Sequence, residues 1–460
     1  MRYLAAVIIV LFGVARASWG CGKDAADVAN AVAAIVSDDQ VAADTAIEKL
    51  RNQGPHALMV LVAHYKSRQA HSAAEHTPAT QDELTRLKAA IDLVGAQRDC
   101  AASRLYWYTD LEKAKAAARQ SHKPILSLRL LGKLTDEFSC ANSRFFRTTL
   151  YANEEISRYL RSKFVLHWES VRPVPRVTID FGDGRKLERT LTGNSIHYVL
   201  DMDARSIDAL PGLYGPKAFL RGLANALEMN HTLAEASPES RNALLMAYHK
   251  QRIAAIDSAW ASDVQQLGRP SASGATKTAA WLVTTSTPSA VNAPPARAAA
   301  AIAAPKGSVE MPVIAAMESH SLTDPKVADN DELWKQLARL HAVDAALDEA
   351  SIKLMRSQAP QAGRAGALAI TKRLVEDPLV RVVRNFQGTI ALDSVRNEYL
   401  LHRQLHEWFV AGTASSDLTL LNQRVYAELF LTPSSDPWLG LVPSDTYTAL
   451  ENDGRIGATQ

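Results

Sequence analysis

Between Gly268 and Gly307 the chain offers almost nothing to bury. Ala, Pro, Ser and Thr dominate, and large apolar side chains are rare. Such a segment cannot offset the entropy of ordering itself, so residues 268–325 are predicted to be a flexible linker. This divides the 460-residue chain into separate folding regions, a length consistent with two or three domains.

Ahead of the linker, the apolar period changes along the chain. Residues Asp24 to Cys100 keep helical spacing, with Val28, Val32, Ile35 and Val36 on one face and Ala43, Ala46, Ile47 and Leu50 on another, punctuated by Gly54-Pro55. Leu111 to Gln120 predicts a helix, and Lys123 to Leu130 an apolar strand. A loop then leads to Ser139-Cys140-Ala141-Asn142-Ser143 at the start of a further helix, and Lys163 to Trp168 begins the next strand. Val177 to Phe181 and Lys186 to Leu191 alternate apolar with polar around Gly182-Asp183-Gly184, which predicts a hairpin. A calcium or phosphate loop at those glycines lacks the further carboxylates or the following helix that it needs.

The run Tyr106 to Ala114, then Lys123-Pro124-Ile125-Leu126, Cys140 and Phe164-Val165-Leu166, resembles the thioredoxin-like superfamily in its bacterial extracytoplasmic versions. The resemblance covers about residues 105–230. It implies that Ile196 to Asp201 is the strand after the family's cis-proline, Met202 to Arg205 a hairpin turn, Ser206 to Gly212 the last strand, and Pro216 to Glu228 the closing helix. Two positions depart from the pattern. Ser143 replaces the second cysteine, as in monothiol glutaredoxins, so no Cys-x-x-Cys disulfide forms. Asn194 and Ser195 occupy the substrate-binding loop where the cis-proline is expected; a cis bond before a non-proline costs about 2.5–4 kcal/mol. Dithiol turnover is therefore not expected.

Cys140 and Ser143 are the candidate catalytic pair. A helix N-terminus favours thiolate, and Arg144 could add to that, although the altered loop argues for modest or absent reactivity. His167 and His197, on strands, are expected to be structural. Glu398, His402 and His406 follow at i,i+4 spacing on a helix from Ile390 to Phe409, an offset that suits a divalent ion. The order is not His-Glu-x-x-His and no further ligand is identifiable, so polar packing is preferred and no metal or other cofactor is expected. Glu407 reads as solvated.

Met1-Arg2-Tyr3, the apolar run Leu4 to Val14 and Ala15-Arg16-Ala17 have the form of a secretory signal peptide over residues 1–17. A lipidated Cys21 competes, but bulky Trp19 disfavours it. Periplasmic or secreted localisation follows, with no membrane span. Of the three cysteines, Cys21 and Cys100 are expected to form a disulfide with Cys140 free; three reduced cysteines are the alternative. The 51 basic and 49 acidic residues leave a formal charge of +2, and no basic-aromatic stripe points to nucleic acid.

The predicted architecture is multidomain α/β plus α. A central thioredoxin-like sheet-and-helix domain with a trailing helix (105–267) is flanked by a helical cap (18–104) and a C-terminal helical domain (326–460). Ala46 to Leu58 resembles one helix pair of a HEAT-type repeat. The C-terminal part predicts helices at Leu333 to Leu347, Ile370 to Val375, Ile390 to Phe409 and Val425 to Leu431. The expected function is binding of other exported proteins or envelope protein maintenance. The alternative is a monothiol thiol–disulfide oxidoreductase or isomerase using Cys140; a metal-dependent activity in the C-terminal helices ranks third.

Overall fold

Ile125–Leu131, β2, is the centre of the molecule's main sheet: seven consecutive buried residues, as in a strand covered on both faces, with Ser127 bonded to His167 and Arg129 paired with Glu169. The computed structural model describes residues 30–75, 78–190, 193–268, 325–358, 370–412, 414, 417–435 and 449–450. The predicted signal segment, Cys21, nearly all of the predicted linker and the tail from 436 to 448 lie outside the described residues. The chain divides into two units, Met1–Val94 and Gly95–Gln460.

The first unit is helical: α1 (30–36), α2 (Gln40–Gln53), α3 (Pro55–Glu75) and most of α4 (Pro78–Gly95). Asp39 caps α2 by accepting the amides of Val41 and Ala42, and Gly54 ends it at φ 83°, a conformation that costs glycine nothing. Leu50, Leu58, Leu61, Leu87, Ile91 and Val94 are buried. Arg51 reaches the carbonyl of Val94 at 2.8 Å, and Arg86 that of Val36 at 2.9 Å.

The second unit is mixed α/β. Its elements run α5 (Cys100–Ser103), β1 (Trp107–Tyr108), α6 (Leu111–Ser121), β2, α7 (Ala141–Phe145) continued by a π turn (Phe146–Leu150), α8 (Glu154–Lys163), β3 (Val165–Arg172), the β4–β5 hairpin (Arg176–Asp180, Lys186–Thr190), β6 (Ser195–Leu200), β7 (Ser206–Pro211), α9 (Pro216–Glu235) and α10 (Arg241–Gln266). After the linker come α11 (Pro325–Leu340), a 3-10 turn (Ala342–Ala345), α12 (Glu349–Gln358) and α13 (Ile370–Arg396). A π turn (Asn397–His402) leads into α14 (Arg403–Val410), and α15 (Leu418–Arg424) ends in another π turn (Val425–Leu429).

The five-stranded sheet has the order β1-β3-β2-β6-β7, with β1, β3 and β2 parallel and β6 and β7 antiparallel to their neighbours. Local signals set its flanking helices. Asp110 caps α6 through the amide of Lys113, and Asn153 caps α8 through that of Ile156. In α8, Glu154 and Glu155 open the first turn and Arg161 and Lys163 close the last, the arrangement favoured by the helix dipole. Gly182 and Gly184 take positive φ in the hairpin turn, where Asp180 accepts the amide of Gly182 at 2.9 Å.

Three expectations change. The helices predicted separately at Ile370 to Val375 and Ile390 to Phe409 lie in one continuous helical run, 370–410. The C-terminal helices, read from sequence as a domain of their own, share a single core with the sheet. Tyr198 on β6 donates to Asn422 at 3.2 Å, Asn397 to the carbonyl of Leu213 at 2.7 Å, and Gly215 N–H to Ser394 at 2.7 Å. Residues 95–104 also belong with the sheet: Trp168 donates to the carbonyl of Ala96, and Trp107 to the side chain of Gln97, both at 2.8 Å.

Candidate functional site

Cys140 caps α7, accepting the amide of Ser143 at 3.4 Å, and is fully buried. The backbone of Ser143 makes that contact; its hydroxyl has no hydrogen-bond partner among the described residues. Arg144 turns to the carbonyl of Ser139 at 2.9 Å and to Thr190 at 3.3 Å. Burial pushes the Cys140 thiol up, outweighing the downward pull of the Ser143 amide and Arg144. Desolvation thus overrides the helix N-terminus, and the sulfur is held as a neutral thiol.

The loop beside it is closed over. Among the described residues every peptide bond is trans. Asn142 donates to Ser195 at 2.7 Å, Asn194 to Thr432 at 3.2 Å, and Tyr426 to the carbonyl of Asn194 at 3.1 Å. A Cβ at Gly193 would lie 2.7 Å from the Asn142 side-chain oxygen, so the backbone there is pressed against α7. Asn194 therefore faces the segment that follows α15, and Ser195 faces α7. His167 bonds Ser127 at 2.9 Å and His197 bonds Tyr151 at 2.6 Å; burial lowers both imidazoles to about 3, leaving them neutral. Cys100 is buried, with Sγ 3.3 Å from the carbonyl oxygen of Leu105; its expected partner Cys21 lies outside the described residues.

A second constellation forms where β7, α10 and the 370–410 run meet. β7 contributes Asp208, α10 contributes Tyr248, His249 and Arg252, and the long run contributes Glu398, His402 and His406. Asp208, His249, His402 and His406 are each at most 1% exposed. His402 bridges two carboxylates: Nε2 lies 3.1 Å from Asp208 Oδ1 and Nδ1 lies 2.9 Å from Glu398 Oε2. The hydroxyl of Tyr248 donates to Asp208 Oδ2 at 2.5 Å, and Arg252 pairs with Glu398 at 3.4 Å. His249 Nδ1 and His406 Nδ1 approach to 2.8 Å, and His406 Nδ1 lies 3.9 Å from Asp208 Oδ1.

Burial alone would lower the pKa of His402, but Glu398 and Asp208 outweigh it and raise it to about 9. Burial would raise the carboxyl of Asp208, yet the surrounding histidines, His406 and His402 first, hold it below the usual carboxylate range. Burial lowers His249 to about 4 and His406 well below its ordinary value. At neutral pH the centre thus holds an ionised Asp208, a protonated His402 and two neutral imidazoles.

No protein-family model, no curated protein and no solved structure matches this chain. The site is argued from its own geometry. The i,i+4 spacing singled out Glu398, His402 and His406, and the structure keeps them together: Glu398 holds His402, the His402 and His406 rings lie 4.2 Å apart, and both approach Asp208 Oδ1, with His406 also meeting His249. Asp208 lies 194 residues before His402, and His249 lies 157 before His406. No local pattern marks either, because β7 and α10 meet the long helix only through packing. Glu407 is engaged by Arg403 rather than merely solvated.

Proposed function

We propose that this is an exported protein whose central region is a thioredoxin-like fold retained for protein binding or envelope protein maintenance, not for thiol–disulfide exchange. The sheet order, two parallel pairings on one side of β2 and two antiparallel pairings on the other, supports the thioredoxin-like reading, as does the helix starting at Cys140 after that strand. The burial of Cys140, beside a loop that the segment after α15 closes over, carries the functional reading. An attacking sulfur must be accessible and ionised; this one is neither, and Ser143 supplies no resolving thiol. Among the described residues no helix is long and apolar enough to cross a membrane. The reading of residues 1–17 as a signal peptide supports export to the periplasm or medium.

The test compares wild-type protein with Cys140→Ser in cells and in a glutathione-coupled disulfide reductase assay. The binding role expects no reductase turnover in the wild type, and partner binding and cellular function unchanged by the substitution. Loss of measurable reductase activity and of cellular function on that single change would instead establish the monothiol enzyme. Mass spectrometry of the mature N-terminus tests export separately: Ser18 is expected, and a lipidated Cys21 would replace the soluble reading with an anchored one.

A further inference from the structure

We propose that Asp208, His249 and His406 form a buried site for one divalent transition-metal ion, with Zn²⁺ as its natural probe, tying β7, α10 and α14 together.

The donor chemistry is that of zinc and its neighbours, two imidazole nitrogens and one carboxylate. A ligand atom from each residue lies within 4.8 Å of the other two. Tetrahedral Zn²⁺, with bonds of about 2.0–2.1 Å, needs donors about 3.3 Å apart. The His249–His406 separation of 2.8 Å and the His406–Asp208 separation of 3.9 Å fall on either side of that distance. An ion would draw the two imidazole nitrogens apart and bring Asp208 in toward His406, both by side-chain torsion.

The surroundings hold these donors in place. Tyr248 anchors the second oxygen of Asp208, and His402, itself gripped by Glu398, hydrogen-bonds the first. The His249 ring stacks on Phe409 at 4.2 Å and 6°. Outer-shell contacts of this kind orient metal ligands. A metal-free alternative exists, a single N–H···N hydrogen bond between the two rings. Both Nε2 atoms lack a partner in either case, so they do not discriminate; the presence of Asp208 at the same Nδ1 favours the ion. The three donors are excluded from solvent, and the fourth tetrahedral position is left to a non-protein ligand such as water.

The experiment strips the purified full-length chain with a chelator and adds Zn²⁺ or Co²⁺ alone. One equivalent should survive gel filtration in metal-free buffer, the Co²⁺ form should show a tetrahedral visible band, and X-ray absorption should find two imidazoles and no sulfur around Zn²⁺. His249→Gln and His406→Gln should each weaken binding by at least about 100-fold, while His231→Gln, on an exposed face of α9, should leave it unchanged. Failure of the wild type to retain one equivalent, or undiminished binding by a folded His249→Gln or His406→Gln chain, overturns the site in favour of the hydrogen bond. If those variants do not fold, the wild-type absorption spectrum decides: a sulfur ligand or fewer than two imidazoles overturns it.

Discussion

The hydroxyl of Tyr426 donates a 3.1 Å hydrogen bond to the backbone carbonyl of Asn194, joining positions 232 residues apart and closing the loop next to Cys140. Native Cys140 should therefore react with iodoacetamide at least about 100-fold more slowly than in urea, because alkylation needs an opening of the fold. Tyr426→Ala should raise the native rate. Peptide mass spectrometry at timed intervals reads both, and a native rate equal to that of the unfolded chain refutes the buried-thiol account.

His341 makes stability depend on pH. Its Nε2 lies 2.6 Å from Asp263 and its Nδ1 3.6 Å from Asp344; Tyr399 also donates to Asp263, and Arg221 grips Asp344 with two nitrogens. Hydrogen bonds to Asp263 and Asp344 raise His341 from 6.5 to about 9. The folded pKa exceeds the unfolded one, so the stabilisation is complete below pH 6.5 and is lost as the pH rises through 9. After discounting for its partial exposure the effect is about 2 kcal/mol. Urea midpoints at pH 6 and 9.5 should differ less in His341→Asn than in the wild type; equal differences refute the assignment.

Gly212 occupies the turn after β7 at φ 81°, and a Cβ there would fall 2.5 Å from Asn397 Nδ2. Gly212→Ala adds left-handed backbone strain to that clash and should cost about 1–3 kcal/mol. It should also disturb the Asn397 bond to Leu213, which joins the long helical run to the sheet. Equilibrium denaturation reads the loss, and wild-type stability of the variant contradicts the close approach.

Asp208→Ala, measured in chelator-treated protein, should cost about 2–4 kcal/mol because it takes one of two carboxylates from a buried, protonated His402 and leaves the Tyr248 hydroxyl without its acceptor. Asp208→Asn, which keeps an acceptor for Tyr248, should cost less. A change of under about 0.5 kcal/mol for the alanine variant, the range of ordinary surface positions, shows that Asp208 does not hold this network.

The sequence alone carried much of what is local in this protein. The alternation of Val177 to Thr190 around Gly182 and Gly184 and the strand at β2 each depend on neighbours within a few residues. Their periodicity and turn chemistry were legible without a partner. The i,i+4 row of Glu398, His402 and His406 was legible for the same reason, but its meaning was not. Only the tertiary structure brought Asp208 and His249 to His406, gave His402 its second carboxylate, Asp208, and laid the segment after α15 over the loop beside Cys140. At Cys140 the helix N-terminus pulls toward thiolate while burial pushes the other way, and burial wins. Desolvation depends on what distant parts of the chain cover, so no local pattern records it.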